Sequence, residues 1–332
     1  DIPLEFTIDM HYVQEQRWES CRVWYGRPSG VHLYLVESER FSEKGGIYVY
    51  TDAEQAGDEK KQAGSGHFDY FAMNILLQKS ALELMVLLNA KPDVIHCHDG
   101  HTALVPALIH ECQGWRSYFQ SCGCLVTIHN AGIGYHQEVG DLPFGAAVTG
   151  LPMSSITPSL LDGNFDPFMS AGRYCLLNTV SENYARELQE TDDDGRTGWL
   201  GHALIEQGIR IEGITNGISM SDFDPKADDS ALAASFDPAD NEDDLSGKLA
   251  CKRALLEPQE QGFSGELIKY GQLDSGLEQP LFAFIGRLSA QKGVALLLNA
   301  VEDRFGRTEK GRRVILGSGT ELLESRIIAL AT

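Results

Sequence analysis

The stretch FAFIGRLSAQKG, Phe282–Gly293, decides the fold. An apolar run ends in Gly286, Arg287 follows at once, and Lys292 comes five residues later, before a second apolar run of helical character. This order predicts a strand, a turn and a helix, with both cations at the carboxyl end of the strand, where open α/β sheets bind ligands. The helix N-terminus would add backbone N–H groups and the positive end of its dipole. The stretch therefore predicts a phosphate site, although two solvated charges flanking a turn would give the same pattern.

Strands and helices alternate along the chain, which indicates parallel βαβ units. Apolar runs predict strands over 31–36, 47–50, 93–97, 124–128, 174–180, 281–285 and 313–316. Apolar spacing and caps predict helices over 70–89, 101–112, 182–188 with Ser181 as N-cap, 294–301 and from Thr320. We therefore expect an α/β protein with two doubly wound, Rossmann-like domains.

The length of 332 residues suggests two domains, which we place at 1–212 and 213–332, with an acidic surface segment at 222–246. The net charge of −21 argues against nucleic acid and anionic membranes as partners, because both need a basic face. A site for an anionic sugar nucleotide must then be a local basic pocket, which Arg287 and Lys292 would supply.

The cellular location is predicted from cysteine usage and from the lack of targeting signals. Seven scattered cysteines, an odd number, fit reduced thiols better than a disulfide framework. No apolar run is as long as a transmembrane helix, and the first ten residues do not resemble a signal peptide. We expect a cytoplasmic protein, and the sequence leaves its oligomeric state open.

Polar residues follow three of these predicted strands and a fourth strand end, at Ile214–Gly217. They are His96, His98 and Asp99; His129 and Asn130; Asn216 and Gly217; and Arg287 and Lys292. Because the carboxyl ends of parallel strands meet at one edge of a sheet, this arrangement predicts a single ligand crevice. Imidazoles and amides suit the hydroxyls of a sugar, and two cations suit its diphosphate.

The segment HCHDGH, residues 96–101, also allows a metal site. Alternation along a strand puts His96 and His98 on one face, and histidine is a common zinc ligand. Dinuclear hydrolases of the metallo-β-lactamase type use His-x-His-x-Asp-His, whereas Asp99 stands one place early here. We therefore predict no metal and expect His96 to point into the lobe as a hydrogen-bonded core residue. A metal-dependent hydrolase using His96, His98 and His101 remains an alternative.

Five blocks, in order along most of the chain, resemble bacterial glycogen and starch synthases, the retaining α-glucan synthases of the GT-B class. The blocks are IHCHDGHTALVPALI (95–109), VTIHNAGIGYHQE (126–138), PFMSAGRYCLLNTVSENYAREL (167–188), ITNGISMSDFDP (214–225) and FAFIGRLSAQKGV (282–294). One departure is Ser219, where the family has Asp in its Asn-Gly-Ile-Asp turn. Five ordered blocks make the resemblance far more specific than any one of them.

Two hallmarks of the family have no match in this sequence. They are the N-terminal Lys-Thr-Gly-Gly-Leu loop and the Glu-x₇-Glu segment that follows the second strand of the C-terminal domain. We therefore expect both Rossmann-like domains to be incomplete in this chain, the first without its first strand. We also expect the 332-residue chain to be a poor catalyst.

The resemblance implies a glycosyltransferase of glycogen or starch biosynthesis. Such an enzyme transfers glucose from ADP-glucose, or UDP-glucose, to the non-reducing end of an α-1,4-glucan with retention. The catalytic residues that it implies are His129, Arg287, Lys292 and Asp99. The substrate-binding residues that it implies are Asn130, Asn216, Gly217, Arg287 and Lys292.

The resemblance assigns a role to each residue. Arg287 and Lys292 would bind the diphosphate and stabilise the charge that leaves with it, so that no metal or other cofactor is implied. His129 would lie beside the transferred glucose, and Asp99 on the acceptor side. The unmatched hallmarks favour an alternative function, a non-catalytic glucan-binding or regulatory protein with a degenerate synthase fold. The retained residues Arg287, Lys292, His129 and Asn216 oppose it.

Overall fold

The structure is a computed structural model that describes residues 4–227, 232–240, 242, 244–256, 268–273, 276–289, 292–302 and 311–331. The chain divides into two units, Asp1–Asn216 and Gly217–Thr332. No helix among the described residues is both long and apolar enough to cross a membrane.

The first unit carries two larger sheets and their helices. Its strands are β1 (Leu4–Asp9), β2 (Trp18–Gly26), β3 (Leu33–Glu37), β4 (Val94–His98), β5 (Gly123–Ile128), β6 (Leu160–Leu161), β7 (Asn164–Phe165), β8 (Leu176–Thr179) and β9 (Ile211–Gly213). Its α-helices are α1 (Glu39–Ser42), α2 (Asp52–Gly57), α3 (Tyr70–Leu87), α4 (Val105–Glu111), α5 (Gln113–Tyr118), α6 (Leu142–Thr149), α7 (Met153–Ile156), α8 (Pro167–Ala171), α9 (Glu182–Glu190) and α10 (Leu200–Glu206).

The parallel sheet of the first unit has the strand order β4-β5-β8-β9. One face carries Cys97, Val126 and Leu177, which are buried in one core with residues of α3 and α4. On the other face Val94 and Leu176 are 59% and 75% exposed. The helices of the first core therefore cover the face that Cys97 occupies.

The expectation that His96 points into the lobe is wrong. Successive side chains of a strand alternate between its faces, and Cys97 takes the buried face of β4. His96 and His98 therefore both lie on the exposed face, with their ring centroids 4.3 Å apart. The predicted sharing of one face by these two histidines is confirmed.

An antiparallel sheet, β1-β2-β3, precedes the parallel one. Strand β3 overlaps a predicted strand, whereas β1 and β2 were not predicted. Alternation in β2 buries Cys21 and Val23, while Trp24 stays 48% exposed on the opposite face. Because the outer face keeps large apolar side chains, the apolar and polar positions do not alternate cleanly in the sequence.

Helix α3 connects the two sheets of the first unit. It is buried on several sides, and its buried residues include the polar Gln78, Lys79 and Ser80. The Lys79 ammonium donates to the carbonyl of Asp9 at 2.8 Å and to its carboxylate at 3.0 Å, which attaches β1 to the helix. A buried lysine needs such partners, because an unpaired charge in the core is costly.

Two predicted elements differ from the structure by more than two residues, one at its start and one in its existence. Residues 101–104 form turns, and α4 begins only at Val105, where Pro106 occupies a position in the first turn that needs no N–H donor. Residues 47–50 contain no strand, and Val49 makes only an isolated bridge to Gly66.

The second unit contains a parallel pair of strands. Its elements are α11 (Ser246–Leu256), β10 (Leu281–Ile285), α12 (Val294–Ala300), β11 (Arg312–Leu316) and α13 (Glu321–Ala331). Strands β10 and β11 pair in parallel over their whole lengths. Their small core is built on Leu288, Val294 and Leu298. The strand, turn and helix predicted from Phe282–Gly293 are therefore present.

Phe165 offers a test of the first core. It is fully buried, whereas Phe68 is 83% exposed. We expect Phe165→Ala to lower the free energy of unfolding by about 3–5 kcal/mol, the usual cost of a large cavity, and Phe68→Ala to lower it by less than about 0.5 kcal/mol. Urea unfolding followed by tryptophan fluorescence suits this test, because all four tryptophans lie in the first unit. Equal losses in the two variants would contradict this packing.

Candidate functional site

The turn after β4 is joined to the turn after β5 through Asp99. The backbone N–H of Asp99 donates to the carbonyl of Thr127 at 2.9 Å, which adds one hydrogen bond to the parallel ladder. Its carboxylate Oδ1 then accepts from the backbone N–H groups of His129 at 2.7 Å and Asn130 at 3.3 Å. Asp99 has a φ of 57°, a left-handed conformation that Asp tolerates better than most residues. The side chain thus satisfies amides that the end of the strand would leave without partners.

Two separate sets of hydrogen bonds join side chains on the face of the sheet opposite Cys97. The Thr127 hydroxyl donates to Asn178 Oδ1 at 2.7 Å, and His96 Nε2 lies 2.7 Å from the same hydroxyl oxygen. Because the hydroxyl hydrogen is already used, His96 Nε2 must donate. His98 Nδ1 lies 3.0 Å from His129 Nε2, so one hydrogen serves this pair of rings.

Electrostatics favour a neutral His98. Partial burial of the ring, then the neighbouring His96 and His129, lower the pKa of His98, while Asp99 acts in the opposite direction. Two imidazoles that share one hydrogen can bind a hydroxyl as donor and as acceptor. This suits a neutral polar ligand better than a charged one.

His101 lies apart from His96 and His98, whose rings contact each other. Its ring packs against Tyr48, with ring centroids 5.8 Å apart, and its carbonyl accepts from Gln78 Nε2 at 3.0 Å. Burial lowers the pKa of His101. In the described ranges, which include all three histidines of the segment, no group of three or more His, Cys, Asp or Glu side chains could hold a metal ion.

The loop that follows β5 is attached to α3. Three polar residues of α3, spaced by four, face the loops: Tyr70 donates to the carbonyl of Glu138, Asn74 Nδ2 to Gln137 Oε1 at 2.7 Å, and Gln78 to the His101 carbonyl. These three residues are not among the predicted site residues. Their spacing by four is the signal in the sequence that places them on one face of the helix. They stabilise the positions from which the candidate residues act.

A close backbone contact joins the two turns. A Cβ at Gly100 would overlap the carbonyl of His136, so only glycine fits between the loops. Asn130 Oδ1 accepts from the N–H of Gly132 at 2.8 Å, which tightens the turn.

Asn216 and Gly217 lie at the junction of the two units. The N–H of Ile214 donates to the carbonyl of Thr179 at 2.8 Å and extends the ladder past β9. Asn216 and Gly217 follow as exposed backbone without regular structure. In the described part of the chain no hydrogen bond joins Asn216 to His129 or Asp99, and β8 stands between β5 and β9 in the sheet order. The structure therefore brings Asp99, His129 and Asn130 together and places Asn216 on a more distant strand end.

Arg287 and Lys292 lie in the second unit, in the turn after β10. The N–H of Leu288 donates to the carbonyl of Ser318 at 2.8 Å, and that of Lys292 to the carbonyl of Ser289 at 3.1 Å. Both cationic residues are exposed. A Cβ at Gly319 would overlap the carbonyl of Leu288, which explains the glycine in the facing loop. The turn thus presents two cations ahead of α12.

The fold and the placement of polar residues at strand ends define the class of protein. The α/β fold with Rossmann-like parallel strands is that of the GT-B glycosyltransferases. A solved structure with this fold, the catalytic domain of starch synthase IV from Arabidopsis thaliana bound to ADP and acarbose, matches with a TM-score of 0.69 and 23% identity, over 99% of this chain and 60% of that one.

The family follows from a sequence comparison. The family model described as starch synthase catalytic domain matches residues 2–204, and the chain belongs to this family. Glycogen synthase 1 of Geobacter metallireducens is 31% identical over 288 residues, 85% of this chain and 50% of that protein. Glycogen synthase 1 of Trichormus variabilis is 34% identical over 314 residues, 91% of this chain and 54% of that protein. The resemblance in the sequence is confirmed, and the chain spans about half the length of these curated relatives.

The Asp99 junction yields a first prediction for the site. Asp99→Ala removes the acceptor of two amides and should speed hydrogen exchange at His129 and Asn130 by about tenfold or more, since an unsatisfied donor costs about 1–3 kcal/mol. Asp99→Asn keeps an acceptor oxygen and should have a smaller effect. Asp141→Ala is a matched control, because Asp141 also accepts from a backbone N–H, that of Phe144, at 3.0 Å. If hydrogen exchange at His129 and Asn130 in Asp99→Ala is as slow as in the unmodified chain, the junction through Asp99 is contradicted.

The paired rings yield a second prediction. The pKa of His98 is lower in the folded chain than in the unfolded chain, so the unfolded chain takes up this proton first as pH falls. His98 therefore does not lower the free energy of unfolding above about pH 6.5 and lowers it progressively below that pH. In a proton NMR titration the midpoint of His98 should lie below 6.5. It should rise in His129→Ala, because that change removes one neighbouring ring. A midpoint above 6.5 in the unmodified protein would be evidence against the pairing.

Proposed function

We propose that the protein transfers glucose from a nucleotide sugar to the non-reducing end of an α-1,4-glucan, with retention, in glycogen or starch biosynthesis. The observation that carries the proposal is the junction of Asp99 with His129 and Asn130 at the carboxyl end of a parallel sheet, in a chain of the starch synthase family. The N-terminal domain, 1–212, would bind the acceptor, and the C-terminal domain, 213–332, the nucleotide sugar. We also propose a cytoplasmic location, which the unpaired cysteines favour.

In this proposal the first unit binds sugar. His129 contacts the transferred glucose, and Asn130 and Asn216 hydrogen-bond hydroxyls. Asp99 serves the acceptor side through its second carboxylate oxygen, because Oδ1 already accepts from two backbone amides. The pairing of His98 with His129 supports this assignment, since it holds the His129 ring in one orientation before a ligand arrives.

The second unit supplies the charge. As the glycosidic bond to the diphosphate breaks, negative charge grows on the leaving group, and Arg287 and Lys292 stabilise it. Gly217 lets the backbone near Asn216 approach the ligand closely. ADP-glucose is the donor that we favour over UDP-glucose, because the Arabidopsis structure holds ADP.

Transfer of radiolabelled glucose to glycogen by the product of the natural full-length open reading frame tests the function, with ADP-glucose and UDP-glucose offered in parallel. Titration with maltoheptaose separates the enzyme from the non-catalytic glucan-binding protein. Transfer from either donor supports an enzyme, whereas binding of maltoheptaose without transfer supports the glucan-binding alternative. A chain that neither binds maltoheptaose nor transfers glucose would overturn both.

The two cations yield a quantitative prediction. In the complete protein, Arg287→Ala and Lys292→Ala should each lower the rate of glucose transfer about a hundred- to a thousandfold, the usual cost of losing one donor to a developing charge. Arg287→Lys should restore only part of the rate, because lysine lacks the planar fork of arginine.

The control for these variants is Lys248→Ala, which removes an exposed cation from α11. Steady-state transfer rates and ADP-glucose titrations are measured together, with circular dichroism as a check on folding. If both alanine variants behave like Lys248→Ala, the cations are ordinary surface charges and the donor half of the proposal fails.

A further inference from the structure

His136 is a buried histidine outside the predicted site residues. It is 4% exposed. Its Nδ1 lies 2.6 Å from Asp166 Oδ2, and its Nε2 lies 2.8 Å from the carbonyl oxygen of Ala131. A carbonyl and a carboxylate both accept hydrogen bonds, so both ring nitrogens carry hydrogens and the ring is an imidazolium.

The charge of the ring is matched by Asp166, which is 1% exposed. The other carboxylate oxygen of Asp166 accepts from the N–H groups of Phe168 at 2.8 Å and Met169 at 2.9 Å. Burial of the ring opposes its charge, but Asp166, the Ala131 carbonyl and Glu138 together raise the pKa of His136. The Phe168 ring packs edge-on against it, at 5.5 Å between centroids.

Ala131 connects this pair to the candidate site. Its carbonyl accepts from His136, and its N–H donates to the hydroxyl of Tyr184 at 3.0 Å, so the peptide groups on both sides of Ala131 are held. Asn130 is the preceding residue, and His129 comes before it. The carbonyl of His136 also packs against Gly100, beside Asp99. The His136 side chain therefore closes the segment from Ala131 to His136, which directly follows His129 and Asn130.

We propose that His136 is a positioning residue: its imidazolium, held between Asp166 and the Ala131 carbonyl, fixes the loop that presents His129 and Asn130 to the glucan. The role in binding rests on the proposed function, whereas the fixing of the loop does not. The charged ring is present below its raised pKa and is lost as pH rises through it, so glucan affinity should fall on the alkaline side. His98 changes charge on the acid side of 6.5, which separates the two effects.

Two variants separate charge from packing. His136→Leu removes both donors. Asp166→Asn keeps an oxygen for the N–H groups of Phe168 and Met169 and offers an N–H to Nδ1, so a neutral ring still donates to Ala131. A second histidine–aspartate pair, in which only Asp194 is buried, is the control: His202 Nδ1 lies 2.8 Å from Asp194 Oδ2, and Asp194 also accepts from the N–H of Gly201 at 3.2 Å. His202→Leu removes a similar bond outside this loop.

Three measurements on the 332-residue chain test the proposal. Nitrogen-15 spectra of labelled histidines should show hydrogens on both nitrogens of His136 at pH 7.5, and on one nitrogen in Asp166→Asn. Hydrogen exchange at Asn130 and Ala131 should rise at least tenfold in His136→Leu and stay unchanged in His202→Leu. Maltoheptaose affinity should fall at least tenfold in His136→Leu, and its decline at alkaline pH should be absent in Asp166→Asn.

The outcomes distinguish this inference from the proposed function. A neutral His136 at pH 7.5 overturns the inference, as does slow loop exchange in a folded His136→Leu variant. If His136→Leu does not fold, the spectra of the unmodified chain and of Asp166→Asn decide. The unmodified chain could fail to bind maltoheptaose while the spectra and the hydrogen exchange agree with the expectation. In that case the fixing of the loop by His136 is supported and the proposed glucan site fails.

Discussion

The candidate site depends on one carboxylate, that of Asp99. Parallel strands end with backbone amides that have no partner in the ladder, and here Asp99 Oδ1 accepts from two of them, on His129 and Asn130. The left-handed conformation at Asp99 costs of order 1–3 kcal/mol. Hydrogen bonds to a charged group contribute about 1.5–3 kcal/mol each, so two of them offset this cost. The turn after β4 thereby determines the path of the turn after β5.

This junction explains how two sequence blocks, thirty residues apart, act as one site. The hydrogen bond from Asp99 N–H to Thr127 aligns the two strand ends, and the pair of rings at His98 and His129 forms on the exposed face. A Cβ at Gly100 would separate the loops. The polar face of α3 also contacts both loops, through hydrogen bonds from Tyr70, Asn74 and Gln78. The geometry is therefore set before a ligand binds, which lowers the entropy lost on binding.

Sequence patterns predicted the elements whose physics is local. The strand at Leu281–Ile285 has the predicted bounds, since a short apolar run ended by glycine has few alternatives. Ser181 caps α9 as expected, through its hydroxyl and the N–H of Tyr184. The shared face of His96 and His98 followed from alternation alone. Which face the core covers did not follow, because that depends on the helices that pack there.

The features that escaped prediction depend on pairing between distant residues. β1 and β2 pair with each other and rest on α3, and neither has the clean alternation that marks an isolated strand. His136 and Asp166 lie thirty residues apart, and nothing in the local sequence of either shows a partner. Buried polar pairs of this kind are visible only in three dimensions, yet they decide loop geometry, because an unpaired charge in a core costs several kcal/mol.

The candidate residues of the two units differ in their chemistry. Asp99, His129 and Asn130 are polar residues held by hydrogen bonds within the first unit. Arg287 and Lys292 are exposed cationic residues in the turn after β10. In the proposed function the first unit would bind a neutral sugar through groups whose positions are fixed by the scaffold, whereas the cations of the second unit would stabilise the charge that grows on a leaving diphosphate.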